Sequence, residues 1–135
     1  LIAHDLVEIY AGDTVIWDDI PETDVAEREK AAAQRLFALL PATQQEKFAA
    51  LAEEFAAQDT VEARFARALD ALHPMLMSWG ADGLGHPNET LTPSRVLARK
   101  RPLIEEFPDL WALAEYVVTT AVDRGLISPD PSRDR

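Results

Sequence analysis

The chain has 135 residues, 47% of them hydrophobic, and a formal net charge of −11 at pH 7; this suits one domain with a real core. The absence of cysteine excludes disulfides and thiolate metal sites and fits a reducing compartment, while the acidic balance argues against a nucleic-acid surface, which needs a basic patch. No apolar run approaches the roughly 20 residues that cross a bilayer and no secretory signal pattern is present, so the expectation is a cytoplasmic protein with no membrane or nucleic-acid partner.

The first stretch, Leu1 to Ala11, reads as a helix. At about 100° per residue His4, Asp5 and Glu8 share one narrow arc, and every other position is apolar. A helix apolar nearly all round is expected to be buried, and buried carboxylates need a partner, a hydrogen bond or a cation. An imidazole beside two carboxylates is a candidate divalent-metal site; the alternative is a core histidine satisfied by its neighbouring acid. The sequence opens at Leu1 without Met, already inside this helix, which suggests that residues precede it.

Gly12 is a C-terminal stop, and Asp13 follows it at the mouth of whatever the three polar groups line. Thr14 to Asp24 reads as an irregular loop in which Asp18 and Asp19 are solvated. A helix is expected from Asp24, as cap, to Leu40, with Val25, Ala32, Ala33, Leu36, Leu39 and Leu40 inward and Glu27 to Lys30 forming a self-paired surface. Pro41 ends it. A capping box, Thr43 with Glu46, opens a helix with the stripe Phe48, Leu51, Ala52 and Phe55. A second box, Asp59 with Glu62, opens a longer one whose core face is Val61, Phe65, Leu69, Leu72, Leu76 and Trp79. With no strand-like alternation, the fold class is all-α, a bundle of about five to seven helices.

The longer helix carries Asp70 off its main stripe, beside the small Ala63 and Ala66. Pro74 lies four residues on and has no N–H for the Asp70 carbonyl, so the helix should bend here. His73 is read as structural or exposed, and His86, in a loop after Trp79, as a surface residue. Thr92 and Pro93 supply a cap and a proline at the first helical position of a basic helix with Arg95, Arg99, Lys100 and Arg101. This cluster either pairs with surface acids, the favoured reading, or holds a phosphate. Pro102 and Pro108 mark boundaries, Asp109 to Arg124 is a last amphipathic helix stopped by Gly125, and residues 128–135 read as a flexible tail after a single domain over 1–127.

His4-Asp5 with Glu8, Gly12-Asp13 and the distant run from Arg64 to Asp70 together resemble the HD-domain metal-dependent phosphohydrolases. The likeness is to the branch of HD domain-containing protein 2 and the bacterial 5′-deoxynucleotidases, and runs from the first residue to about Leu126. It implies a divalent metal held by a His, a His-Asp pair and a far Asp: His4 and Asp5 match the pair and Asp70 the last ligand. The first His has no counterpart in this sequence: either it lies upstream of Leu1, the expected case, or the ligand has been lost. The resemblance implies Glu8 and Asp13 as catalytic acids, and as reaction the hydrolysis of a (deoxy)nucleoside 5′-monophosphate by a metal-bound water. A His and carboxylate set accepts Mn, Co, Fe, Ni or Zn, with Mg less natural. Relatives in the family often form homodimers, though no patch in the sequence marks one. Two other readings stand beside this: another HD chemistry, such as a phosphodiesterase or pyrophosphohydrolase, and a non-catalytic helical interaction module whose acids serve core hydrogen bonds.

Overall fold

The computed structural model describes residues 5–12, 22–80 and 82–131. They form a 3-10 turn, Asp5–Val7, and six α-helices: α1 Glu8–Ala11, α2 Glu22–Phe37, α3 Ala42–Ala57, α4 Val61–Trp79, α5 Pro93–Ile104 and α6 Pro108–Asp123. Among the described residues there is no strand, only an isolated bridge between Asn88 and Ile127, so the chain is all-α. No described helix is long and apolar enough to cross a membrane. The contacts divide the chain into two compact units, residues 1–63 and 64–135.

In the first unit α1 and the turn before it pack on α2, and α2 packs on α3. Val7, Ala32 and Phe37 are buried together, with Ala11, Leu36, Leu40, Phe48 and Ala52 closing around them. The Phe37 and Phe48 rings meet at 5.9 Å. The first helix differs from its expectation of burial on all sides: Val7 is buried, but Leu6, Ile9 and Tyr10 are 48%, 67% and 40% exposed. Val7 and Ala11, one turn apart, are the face that meets α2, and an apolar face is buried only where something packs on it. The helix end is as expected, with Gly12 at φ 77° and its N–H bonded to the Glu8 carbonyl at 2.8 Å.

Capping differs in detail. The helix α2 already starts at Glu22 and ends at Phe37, which leaves Leu39 in the following turn, 72% exposed. Pro41 stands before α3, with no side-chain cap, so Thr43 lies inside its first turn. At α4 the cap is Thr60, whose hydroxyl accepts the Ala63 N–H at 3.1 Å and donates to Glu54 at 2.7 Å.

In the second unit the face of α4 that is buried comprises Ala68, Ala71, Leu72, Met75 and Trp79, at the i, i+3, i+4, i+7 spacing of one helical face. This corrects the expected stripe: Val61 and Phe65 are 50% and 42% exposed, and Phe65 meets Phe107 edge-on at 5.1 Å. The buried face is marked in part by alanines, so the spacing of the larger residues alone misplaces it. Thr92 caps α5 with Pro93 at its start, as expected, whereas Pro102 lies in its last turn rather than at a boundary. Between them α5 and α6 bury Val96, Ile104, Ala114, Val117, Val118 and Ala121. Arg124, just past α6, donates to the carbonyls of Trp79, Gly80 and Gly83 and so closes the end of α4. The start of the expected flexible tail is tied down: Ser128 N–H bonds the Leu91 carbonyl at 3.0 Å, and Asp130 accepts from the Ser94 amide and hydroxyl at 3.1 and 2.5 Å.

Candidate functional site

The 3-10 turn and α1 run on from one another, so Asp5 and Glu8, three residues apart, lie along one side. Asp5 is exposed and Glu8 half-buried. His4, Asp13, Asp18 and Asp19 lie outside the described residues. Behind this helix a surface groove of about 270 Å³ is lined by Tyr10, Ala11, Arg28, Ala31, Ala32 and Arg35, and the Arg35 guanidinium stacks on the Tyr10 ring at 4.2 Å. Two arginines thus stand at a groove beside the helix that bears Glu8.

Asp70 sits on α4 with its side chain 30% exposed, and its Oδ2 is paired with Arg67 Nη1 at 3.3 Å, one turn back. A partly exposed i,i+3 pair holds a geometry rather than much energy. His73 and His86 are both exposed, as expected. Among the described residues no three His, Asp or Glu side chains stand together as a metal site; the Asp70 carboxylate meets Arg67, and Asp5 and Asp70 belong to separate compact units.

The donor set fits a divalent cation by its chemistry. An imidazole with carboxylates is the mixed N,O environment of first-row transition ions, and a 30% exposed carboxylate is open to a cation.

The basic run on α5 resolves residue by residue. Arg101 pairs with Glu105 at 3.3 Å and lies over the Trp111 ring at 4.9 Å, and Arg95 donates to the Thr90 carbonyl at 3.0 Å. Lys100 is different: only 6% of it is exposed, and its Nζ donates to the Ala71 carbonyl at 2.8 Å, the residue after Asp70. Burial lowers its pKa from the ordinary lysine value; the Asp70 carboxylate acts against that shift and Arg67 adds to it. Reading the basic run as a unit missed this residue. Its position held the signal, because Val96, Lys100 and Ile104 recur every four residues and both flanking members are fully buried.

The chain is matched over residues 1–111 by the family model described as HD domain. It is similar to the 5′-deoxynucleotidase HDDC2 of Homo sapiens, 31% identical over 85 residues, which is 63% of this chain and 42% of that protein. It is likewise similar to the Xenopus laevis 5′-deoxynucleotidase HDDC2, 34% identical over 77 residues, 57% of this chain and 38% of that one. Among solved structures it resembles a crystal structure described as a predicted metal-dependent phosphohydrolase from Magnetospirillum magnetotacticum MS-1. The TM-score is 0.70 and the identity 40%, over 95% of this chain and 65% of that one. The chain thus spans about two fifths of the curated relatives it matches.

Proposed function

The chain belongs to the HD domain family, and from that premise we propose that it is a metal-dependent phosphohydrolase acting as a 5′-deoxynucleotidase. What carries the reading is the combination, in one all-α chain, of His4-Asp5 with Glu8 and the far Asp70, together with similarity to relatives that bear that activity in their names. The substrate is a (deoxy)nucleoside 5′-monophosphate, and the products are nucleoside and phosphate.

In this reading His4, Asp5 and Asp70 would hold the cation. When bound, a divalent ion lowers the pKa of coordinated water and neutralises phosphoryl charge. Glu8, half-buried at the start of α1, orients the attacking water and takes its proton. Asp13 assists the leaving 5′-oxygen or orients a ligand, or exchanges roles with Glu8. Arg67 leaves Asp70 free to coordinate by turning to solvent, or to a substrate oxygen, within its own reach. The arginines at the groove beside α1 offset the repulsion that the −11 chain exerts on an anionic substrate.

The test is phosphate release from a panel of nucleoside and deoxynucleoside 5′-monophosphates, with protein stripped of metal and resupplied with Mn²⁺ or Co²⁺. Metal-restored release that favours the deoxy substrates supports the reading. Release of a nucleotide or pyrophosphate from diesters or triphosphates, with monophosphates untouched, replaces it by another HD chemistry.

A further inference from the structure

We propose that Lys100 is a positioning residue for Asp70: its buried ammonium holds the Ala71 carbonyl and thereby fixes the turn of α4 that presents the carboxylate. The inference rests on the metal reading above, since it concerns how one of the proposed ligands is held.

The turn needs such a hold. Pro74 sits inside α4, and without an N–H it gives nothing to the Asp70 carbonyl four residues before it, while its ring presses on that carbonyl. The helix is therefore weakest at the residue whose side chain must be placed most accurately. Lys100 reaches across from α5 and donates to the next carbonyl along, that of Ala71, at 2.8 Å. Ala71 and Leu72, immediately after Asp70, are buried at 6% and 1% exposure, so the backbone there is anchored while the Asp70 side chain stays open.

An apolar residue would be the cheaper occupant of this position. Lys100 lies between Val96 and Ile104, both fully buried, where a methionine or leucine would complete the α5 face without taking an ammonium out of water. A cation is placed there instead, within the field of Asp70. The bond to Ala71 sets the turn, and the charge senses the carboxylate. A divalent cation on Asp70 cancels part of the negative field at the Lys100 ammonium, so metal binding must be felt at its nitrogen. Groups hydrogen-bonded to a metal's ligands typically change its affinity by about 10–100-fold; Lys100 acts on Asp70 through the adjoining backbone, so the lower end of that range is expected.

The sequence contains three lysines, Lys30, Lys47 and Lys100, which makes the experiment direct. In ¹⁵N-lysine-labelled protein, with Lys30→Arg and Lys47→Arg used for assignment, Zn²⁺ is expected to move the Lys100 Nζ resonance. The Asp70→Ala variant is expected to show no such movement. By calorimetry Lys100→Met, with its helicity by circular dichroism retained, binds Mn²⁺ about tenfold more weakly, the lost hold outweighing the relief of one cation beside another; Lys100→Arg, which keeps the charge and a donor of sufficient reach, recovers most of the affinity. A Lys100 resonance unmoved by metal that the wild type does bind, or wild-type affinity in Lys100→Met, overturns the proposal. If Lys100→Met does not fold, the titration of the wild type decides alone. Wild-type protein that binds no metal, or an Asp70→Ala variant that binds it normally, overturns instead the metal reading, and with it this inference.

Discussion

Replacing Phe37 by alanine should loosen the helices of the first unit and leave those of the second protected. Phe37 is 5% exposed, packs on Phe48 at 5.9 Å, and with Val7 and Ala32 makes up the buried centre on which α1 rests. Truncating a buried phenylalanine costs about 3–5 kcal/mol, out of a total stability of about 5–15 kcal/mol for a domain. At 1.4 kcal/mol per factor of ten, amide exchange through local opening of α1–α3 should quicken by about 10² to several thousand-fold. Because α1 carries Glu8 and is held through Val7 and Ala11, turnover should fall with it. Hydrogen exchange read by mass spectrometry, peptide by peptide, gives the answer. Unchanged exchange in α2 and α3, or an equal loss of protection in α5 and α6, would refute the reasoning, the first by denying the role of the ring and the second by denying that the units open separately.

Other outcomes follow from particular contacts. Arg124→Ala removes the donor to the Trp79, Gly80 and Gly83 carbonyls; at an exposed site this should cost about 1 kcal/mol and shift the emission of the adjacent Trp79, measured by fluorescence during urea unfolding. Asp130 has its pKa held below the ordinary 3.8, first by the Ser94 hydroxyl, against the opposing effect of desolvation, with the Ser94 amide and the Thr92 hydroxyl adding to the lowering. A carboxyl lowered in the folded state stabilises above its unfolded pKa and ceases to as pH falls through its folded one. The Ser94 amide should therefore stay protected at pH 5 and lose protection below the ordinary value, a transition absent from Asp130→Asn and visible by NMR. Glu8→Gln should spare Mn²⁺ binding and reduce turnover by about 10²–10⁴-fold, the range of a general base; collapse of metal affinity in that variant would make Glu8 a ligand.

Much of the helical order is legible in the sequence because its punctuation acts locally. Gly12 at φ 77° and Gly125 at φ 68° end their helices as glycines in the left-handed region do, and Thr92-Pro93 opens α5 through its own hydroxyl and ring. Burial is less legible, since it depends on the partner. Ile9 is as apolar as Val7, yet only Val7 faces α2. On α4, alanines at 68 and 71 mark the buried face while Phe65 remains exposed, so side-chain hydrophobicity alone does not pick out that face. The candidate site divides in the same way. The His4-Asp5, Glu8 and Asp70 pattern is written in residue identity and can be read directly, whereas the hold on Asp70 depends on Lys100, 30 positions later and inside a run of basic residues. Only the apolar neighbours at 96 and 104 hint that this one lysine turns inward.

The most direct test of the account is metal binding and hydrolysis followed together in stripped wild-type protein and in Asp70→Ala, titrated with Mn²⁺ in the presence of a deoxynucleoside 5′-monophosphate. Wild-type hydrolysis should rise in step with bound metal, while Asp70→Ala keeps its helices, binds Mn²⁺ poorly and releases no phosphate. Hydrolysis by Asp70→Ala at the wild-type rate, or by wild-type protein in excess chelator, would contradict it.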